Sequence, residues 1–252
     1  MDGTLLNSNH EVSSRFFELF KKMKQRGIHF VAASGRQYSS MISKLDSIKD
    51  DMIFISENGA YVKRQEEVLL TTPIKTENIH DILKLIKGVE NAHPVLCSKN
   101  NAYVSGSSSK FINLLKEYYS EFEIVENQLN VTDEVLKVAI YHFEDSEQFI
   151  YPAVKHLESS LKVKVSGSNW VDVSHENAHK GYALEKVMKE YDIASNEILV
   201  FGDYNNDLEM LLLSDYSFAM ANAHPNVKRV AKFETSTNND FGVEVILEKL
   251  LD

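Results

Sequence analysis

Four polar clusters in this chain carry residue types that could do chemistry: Asp2-Gly3-Thr4, Ser34-Gly35-Arg36, Lys180 at the head of a predicted helix, and Gly202-Asp203 through Asn206-Asp207. Each has a structural reading of its own. Aspartate-glycine is a common turn, a serine after a strand or Asn-Asp before an apolar helix is a good cap, and a lysine opening a helix is usually solvated. Together they read differently, because a hydroxyl, a lysine and several carboxylates converging on one sheet edge supply what phosphoryl transfer requires. A phosphate monoester is a dianion, so a carboxylate approaches it only when a divalent cation and positive groups offset the repulsion. Magnesium takes oxygen ligands and keeps several waters, so a few carboxylate or carbonyl oxygens hold it. Lys180 is then a point charge for phosphoryl oxygens, and the Ser34 hydroxyl and nearby amides donate to them. A further carboxyl group can protonate a leaving alkoxide and later take a proton from water.

Such clusters need strands to aim them. From Glu11 to Arg26 the apolar residues Val12, Phe16, Leu19, Phe20 and Met23 recur at helical spacing, and Gly27 follows as a stop. Ile28 to Ala33 is nearly all apolar, which predicts a strand buried on both faces. A second helical stretch (Tyr38, Met41, Ile42, Leu45) leads to a short strand, Met52 to Ile55, that ends at Ser56-Glu57-Asn58-Gly59. The alternation predicts an open parallel sheet with its site at the carboxyl ends of the strands. After Pro73 the pattern changes. Helical stretches at Ile79 to Val89, Phe111 to Tyr119 and Phe149 to Leu161 interleave with strand candidates at Pro94 to Ser98, Ala102 to Ser105, Phe122 to Val125 and Leu136 to Phe143. Val163 to Ser166 and Trp170 to Val173, separated by Gly167-Ser168, read as a hairpin. From Lys180 the first pattern resumes: a helix through Leu184, Val187 and Tyr191, a strand Ile198 to Phe201, a helix Leu208 to Leu213, a strand Tyr216 to Met220 and a terminal helix Val243 to Leu250. The expected architecture is α/β: a Rossmann-like parallel-sheet core formed by 1–74 and 178–252, with an inserted α+β module at 75–177.

Composition narrows the partners. With 43% apolar and 25% charged residues, four prolines and ten glycines among 252, neither disorder nor a fibrous repeat fits. The 27 lysines and arginines against 37 aspartates and glutamates give a formal charge of −10, the wrong sign for neutralising nucleic-acid phosphates or anionic lipid. A small anionic ligand needs only a local cation. No cleavable apolar leader precedes Arg15 and no eighteen apolar residues run together, so neither a signal peptide nor a membrane span is expected, and the expected location is cytoplasmic. Cys97, the single cysteine, sits among apolar neighbours and is expected to be a small buried side chain. Trp170 is expected in the core and His93 in a loop.

The motifs taken together resemble the haloacid dehalogenase-like superfamily, in its Cof-type sugar-phosphatase branch. The matching segments are Asp2-Gly3-Thr4-Leu5-Leu6, Ala33-Ser34-Gly35-Arg36, Lys180-Gly181-Tyr182-Ala183-Leu184, and Gly202-Asp203-Tyr204-Asn205-Asn206-Asp207 with Met210-Leu211. Glu57-Asn58-Gly59-Ala60 and Ala219-Met220-Ala221-Asn222-Ala223, leading to Val227-Lys228, agree with it; across the module the likeness is one of layout alone. The resemblance implies that Asp2 is the general acid/base and that its backbone carbonyl ligates Mg2+. Ser34 with Gly35, Lys180 and Asn206 would bind phosphate, Lys180 also serving catalysis. Asp203 and Asp207 would complete the metal set with Asp2, and Asn206 and Asp207 would support phosphate, lysine and metal from beside it. The module would be a cap that closes over the site, and Arg36, Asn58, His175 and Glu176 are candidate substrate contacts. The implied activity is magnesium-dependent hydrolysis of small phosphate monoesters, sugar phosphates or similar metabolites, by a monomer or homodimer.

One position departs from the family. Its nucleophile is an aspartate two residues before the acid/base, and here that position precedes Met1, as does the strand leading into it. Asp-Met-Asp-Gly-Thr is an acceptable form of the motif, so an upstream segment carrying both is expected. The alternative is a non-catalytic protein that binds a phosphorylated metabolite, if the chain begins at Met1; its α-amino group would add positive charge beside Asp2 without supplying the nucleophile. Transfer to an acceptor other than water would use the same core but goes with a smaller helical cap soon after the first motif. The stretch from Leu6 to Ser34 holds one predicted helix.

Overall fold

The Ser13 hydroxyl accepts the Phe16 amide proton at 3.1 Å and so opens α1 (Ser14–Gln25), whose spacing buries Phe16, Leu19, Phe20 and Met23 along one face. β1 (Phe30–Ala33), α2 (Tyr38–Lys44) and β2 (Met52–Ser56) follow, then β3 (Tyr61–Arg64) and β4 (Glu67–Thr71). An inserted stretch contains α3 (Thr76–Ile86), β5 (Ala92–Ser98), β6 (Ala102–Ser105), α4 (Ser109–Tyr118), β7 (Glu123–Val125), β8 (Val135–His142), α5 (Ser146–Phe149), α6 (Tyr151–Val154), β9 (Leu161–Gly167) and β10 (Trp170–His175). The chain then returns through α7 (Lys180–Glu190), β11 (Leu199–Gly202), α8 (Leu208–Leu211), β12 (Tyr216–Met220), α9 (Pro225–Val230), β13 (Phe233–Thr235) and α10 (Gly242–Leu251). This computed structural model describes residues 1–99, 101–106, 108–119 and 121–251. They divide into one unit of Met1–Thr71 with Ala178–Asp252 and a second of Thr72–Asn177. Among the described residues no helix is long and apolar enough to cross a membrane.

In the first unit β1 runs parallel to β2, with Phe30 opposite Met52 and Ala33 opposite Ile55, and β3 and β4 add antiparallel beyond it. β11, β12 and β13 form a parallel ladder of their own. Among the described residues β1 pairs only with β2 and β11 only with β12, so both are ladder edges. Their positions correct the expected burial. Ile28 to Ala33 was to be buried on both faces; the strand starts at Phe30 and only Ala32, at 3% exposure, is buried. β2, flanked on both sides, is buried at all five positions. The β3–β4 hairpin, α9 and β13 were not expected from the sequence pattern.

In the second unit the strand order is β7-β6-β5-β8-β10-β9, with β6 and β7 parallel and the other pairs antiparallel. Ile79, Ile82 and Ile86 of α3 and Val154 of α6 cover Leu96, Val138, Ile140, Val171 and Val173 on one face. Phe111 and Leu115 of α4 cover Val95, Cys97, Ala139 and Tyr141 on the other. The β9–β10 hairpin turns at Ser168-Asn169, one residue later than expected, because Gly167 still pairs with Trp170. The single helix expected from Phe149 to Leu161 is broken instead. Pro152 cannot donate a backbone hydrogen bond, which ends α5 and suits the first turn of α6, and Leu161 already belongs to β9. His93, expected in a loop, lies in β5 opposite Tyr141 and stacks on Phe111 with centroids 4.4 Å apart. β6 pairs only from Val95 onward, so Pro94 stands where β5 has one neighbour and its missing donor is tolerated. Cys97 is buried with its Sγ 3.3 Å from the Tyr119 hydroxyl. Trp170 is half-buried, edge-on to Tyr141 at 4.9 Å.

Candidate active site

Residues 1–6 form a turn in which the amides of Thr4, Leu5 and Leu6 all donate to the Met1 carbonyl, at 3.2, 2.9 and 3.0 Å. The turn bridges the two ladder edges: the Met1 nitrogen lies 3.3 Å from the Ala33 carbonyl at the end of β1, and the Thr4 hydroxyl donates at 2.6 Å to Asp203 Oδ1 just beyond β11. Gly3 is demanded twice. Its φ of +65° lies in the left-handed region, and a Cβ would fall 2.3 Å from Asp203 Oδ2. From the other side, Asn222 Nδ2 donates to the Gly3 carbonyl at 2.8 Å, Asn238 Nδ2 to the Leu6 carbonyl at 2.8 Å, and the Ser8 amide and hydroxyl to Asn239 Oδ1 at 2.9 Å.

Lys180 is set by the start of α7, where the His179 ring accepts the Tyr182 amide proton at 3.1 Å. Its ammonium donates to Asp207 Oδ1 at 2.6 Å, with Lys180 4% and Asp207 2% exposed. Asp207 Oδ2 accepts the amides of Asp203 and Tyr204 at 3.0 and 3.3 Å. Burial alone would push Asp207 up, but the Lys180 charge and hydrogen bond hold it below the ordinary carboxylate range. Asp203 moves the other way. Burial raises its carboxyl above the ordinary value, the Thr4 hydroxyl opposes this, and the neighbouring Asp207 carboxylate adds to the rise. Negative charge at Asp203 therefore lacks a full counterbalance, as in a carboxylate that would take a cation.

Ser34 is buried at the end of β1; its amide extends the ladder to the Ile55 carbonyl at 2.8 Å and its Oγ accepts the Arg36 amide at 3.2 Å. Arg36 grips Asp2 with a fork, Nε to Oδ2 at 2.7 Å and Nη2 to Oδ1 at 2.6 Å, and is steadied by Ser40 Oγ at 3.2 Å. His10 Nδ1 lies 3.2 Å from Asp2 Oδ1. Burial would raise the Asp2 carboxyl, but the Arg36 hydrogen bonds and charge carry it down to about 2. Asn206 Nδ2 donates to Asn58 Oδ1 at 2.9 Å.

Of the residues singled out in the sequence, Asp2, Ser34, Gly35, Arg36, Asn58, Lys180, Asp203, Asn206 and Asp207 share this network of the first unit. Arg36, expected at substrate, is engaged by Asp2, and Asp207, expected at metal, has both oxygens engaged by Lys180 and two amides. His175 ends β10 in the second unit, its Nδ1 accepting the Asn177 amide at 3.1 Å, and Glu176 is exposed in the turn after it. Thr4 stood in the first cluster without a role of its own, and His10 was not singled out. Thr4 had a signal, a hydroxyl directly after the Asp2-Gly3 turn; His10, at φ +58° in a polar loop, had none. Among the described residues no group of three or more His, Cys, Asp or Glu side chains is arranged to hold a metal.

An α/β core with carboxylates and a buried lysine at the carboxyl ends of parallel strands, interrupted by an α+β unit, defines a class of fold before it defines a reaction. The family model for haloacid dehalogenase-like hydrolases matches residues 1–247, and the chain belongs to that family. It is 30% identical over 254 residues to the 5-amino-6-(5-phospho-D-ribitylamino)uracil phosphatase YbjI of Escherichia coli (strain K12), across 100% of this chain and 94% of that one. Among solved structures it is similar to SMU.1108c from Streptococcus mutans UA159, with 29% identity, a TM-score of 0.85 and coverage of 100% and 96% of the two chains. The HAD subclass IIB sugar phosphatase BT4131 shares the fold, with 20% identity, a TM-score of 0.79 and coverage of 99% and 96%.

Proposed function

We propose that the protein is a magnesium-dependent phosphatase of small phosphorylated metabolites. The observation that carries this reading is the continuous set of contacts from Thr4 through Asp203 and Asp207 to Lys180, beside Ser34 and Asn206. The Lys180 ammonium keeps donors beyond the one given to Asp207, and these suit phosphoryl oxygens. The Ser34 hydroxyl accepts the Arg36 amide and keeps its own hydrogen to donate to a ligand oxygen. The donor chemistry fits magnesium: hard oxygens, an Asp203 carboxyl raised by burial and by a second carboxylate, and an ion that needs only one or two carboxylates besides other oxygens. Asp203 and the Asp2 backbone carbonyl would hold it, with Asp207 orienting Lys180. Bound there, the cation offsets the repulsion between phosphate and carboxylates. Asp2 acts as acid/base once one oxygen leaves the Arg36 fork.

The covalent route assigned here places an aspartate two residues before Asp2, upstream of Met1, and forms an aspartyl-phosphate. The two ladder edges flanking Met1 support that assignment, since an extended segment joined to Met1 could pair with both. Substrate choice is assigned to the inserted unit, with His175 and Glu176 among its candidates. The test is hydrolysis of p-nitrophenyl phosphate, of sugar phosphates and of 5-amino-6-(5-phospho-D-ribitylamino)uracil by protein expressed with the codons upstream of Met1. Activity should require magnesium and fall about 10²- to 10⁴-fold in Asp2→Asn, the range for loss of a general acid/base. Asp203→Ala should be inactive. Undiminished turnover in excess chelator would overturn the reading.

A further inference from the structure

We propose that Asn58 is a positioning residue of the phosphate site, acting through Asn206 rather than on the ligand. The inference rests on the reading above, in which Asn206 meets the phosphoryl group. Asn58 and Gly59 are the central residues of the β2–β3 hairpin turn, with φ of +57° and +106°, closed by the Ala60 amide on the Glu57 carbonyl at 3.2 Å. That turn needs left-handed backbone at both positions, a need that Gly or Asp at the first would also meet. The turn therefore leaves the identity of the side chain open, and the contacts of that side chain are with the site. Its Oδ1 accepts a proton from Asn206 Nδ2 across 148 residues of sequence. An Asn side chain offers two N–H donors, so this bond fixes the plane of the Asn206 amide and leaves its second N–H for a ligand oxygen.

The same turn touches the other phosphate-binding segments. The Asn58 amide donates to the Ser34 carbonyl at 3.0 Å and the Glu57 amide to the Arg36 carbonyl at 3.0 Å. A Cβ on Gly35 would fall 2.9 Å from Asn58 Oδ1, so the glycine of Ser34-Gly35-Arg36 leaves the space that the Asn58 amide fills. A Cβ on Gly59 would fall 2.4 Å from the His179 carbonyl and 2.9 Å from the Lys180 nitrogen. One hairpin turn thus touches the segments that carry Ser34, Lys180 and Asn206, and its Asn58 side chain bonds directly to Asn206.

Asn58→Gly keeps the turn and deletes the amide, so it separates the two roles. In the full protein with its upstream codons, the inhibition constant for inorganic phosphate should rise roughly 3- to 10-fold, the effect of one neutral hydrogen bond, with kcat/KM for p-nitrophenyl phosphate falling by a similar factor. The thermal midpoint should stay within a few degrees of the parent's. In an Asn206→Ala background, Asn58→Gly should add nothing further, because its partner is already gone. Effects that multiply in the double variant, or no effect of Asn58→Gly alone, would overturn the assignment while leaving the phosphatase reading intact. A parent protein that neither binds inorganic phosphate nor hydrolyses the aryl ester would overturn both.

Discussion

Lys180 and Asp207 form an ion pair removed almost wholly from water, and such pairs are felt most when one partner is deleted. Lys180→Met should cost about 3–5 kcal/mol in urea unfolding, because it strands the Asp207 carboxylate, and adding Asp207→Asn should recover much of it. A single variant as stable as the parent would contradict this. The Asp2–Arg36 pair is half exposed and its effect smaller. Asp2 titrates at about 2 against an ordinary 3.8, so its contribution is present above the ordinary carboxylate range and is lost as pH falls from there through the folded value. The difference in melting temperature between the parent and Asp2→Asn should shrink over that window, and a difference independent of pH would refute it. Motif spacing made Asp2, Ser34, Lys180 and Asp203 legible as residues. It was silent on Arg36 gripping Asp2 and on Asp207 being saturated, because those depend on side-chain directions that spacing does not encode.

Among the elements, the contrast between β1 and β2 decides how much each side chain matters. Ile55, at 0% exposure in the flanked strand, should cost about 2–5 kcal/mol on truncation to Ala, and Val31 in the half-buried β1 distinctly less. Urea denaturation of the two variants orders them, and the reverse order would contradict the burial. Apolar runs revealed both strands, since a run of Ile, Val and Phe reads alike at an edge or in the middle; only pairing distinguishes them. The β2–β3 turn was legible in principle, because Asn58-Gly59 is a strong hairpin signal, whereas Gln65-Glu66 between β3 and β4 offers none. β13, three residues long, offers too little periodicity to be seen. Pro152 was the readable warning against one helix through 149–161.

The whole molecule contains cores that share no residue between its units: Phe16, Ile55 and Leu247 belong to one, Ile82, Val138 and Val173 to another in the inserted stretch. The Ile74 amide bonds the Val135 carbonyl, and β10 ends beside the start of β8, so the inserted chain enters and leaves at one end of its own sheet. A protein of residues 72–177 alone should therefore unfold cooperatively in urea with strand-rich circular dichroism; a gradual, baseline-free transition would argue that its core is incomplete. The alternation of helix and strand made this architecture legible, whereas the order of the strands came only from pairing. The asparagines at 222, 238 and 239 that hold residues 3–8 carry a last consequence, one of timing. Residues 3–8 are fastened by residues synthesised more than two hundred positions later. At roughly 5–20 residues per second, Gly3 and Leu6 wait on the order of ten to forty seconds for their partners to leave the ribosome. A nascent chain stopped before Asn222 would leave that turn without its asparagine fastenings, so a truncation there would reach a turn more than two hundred residues upstream.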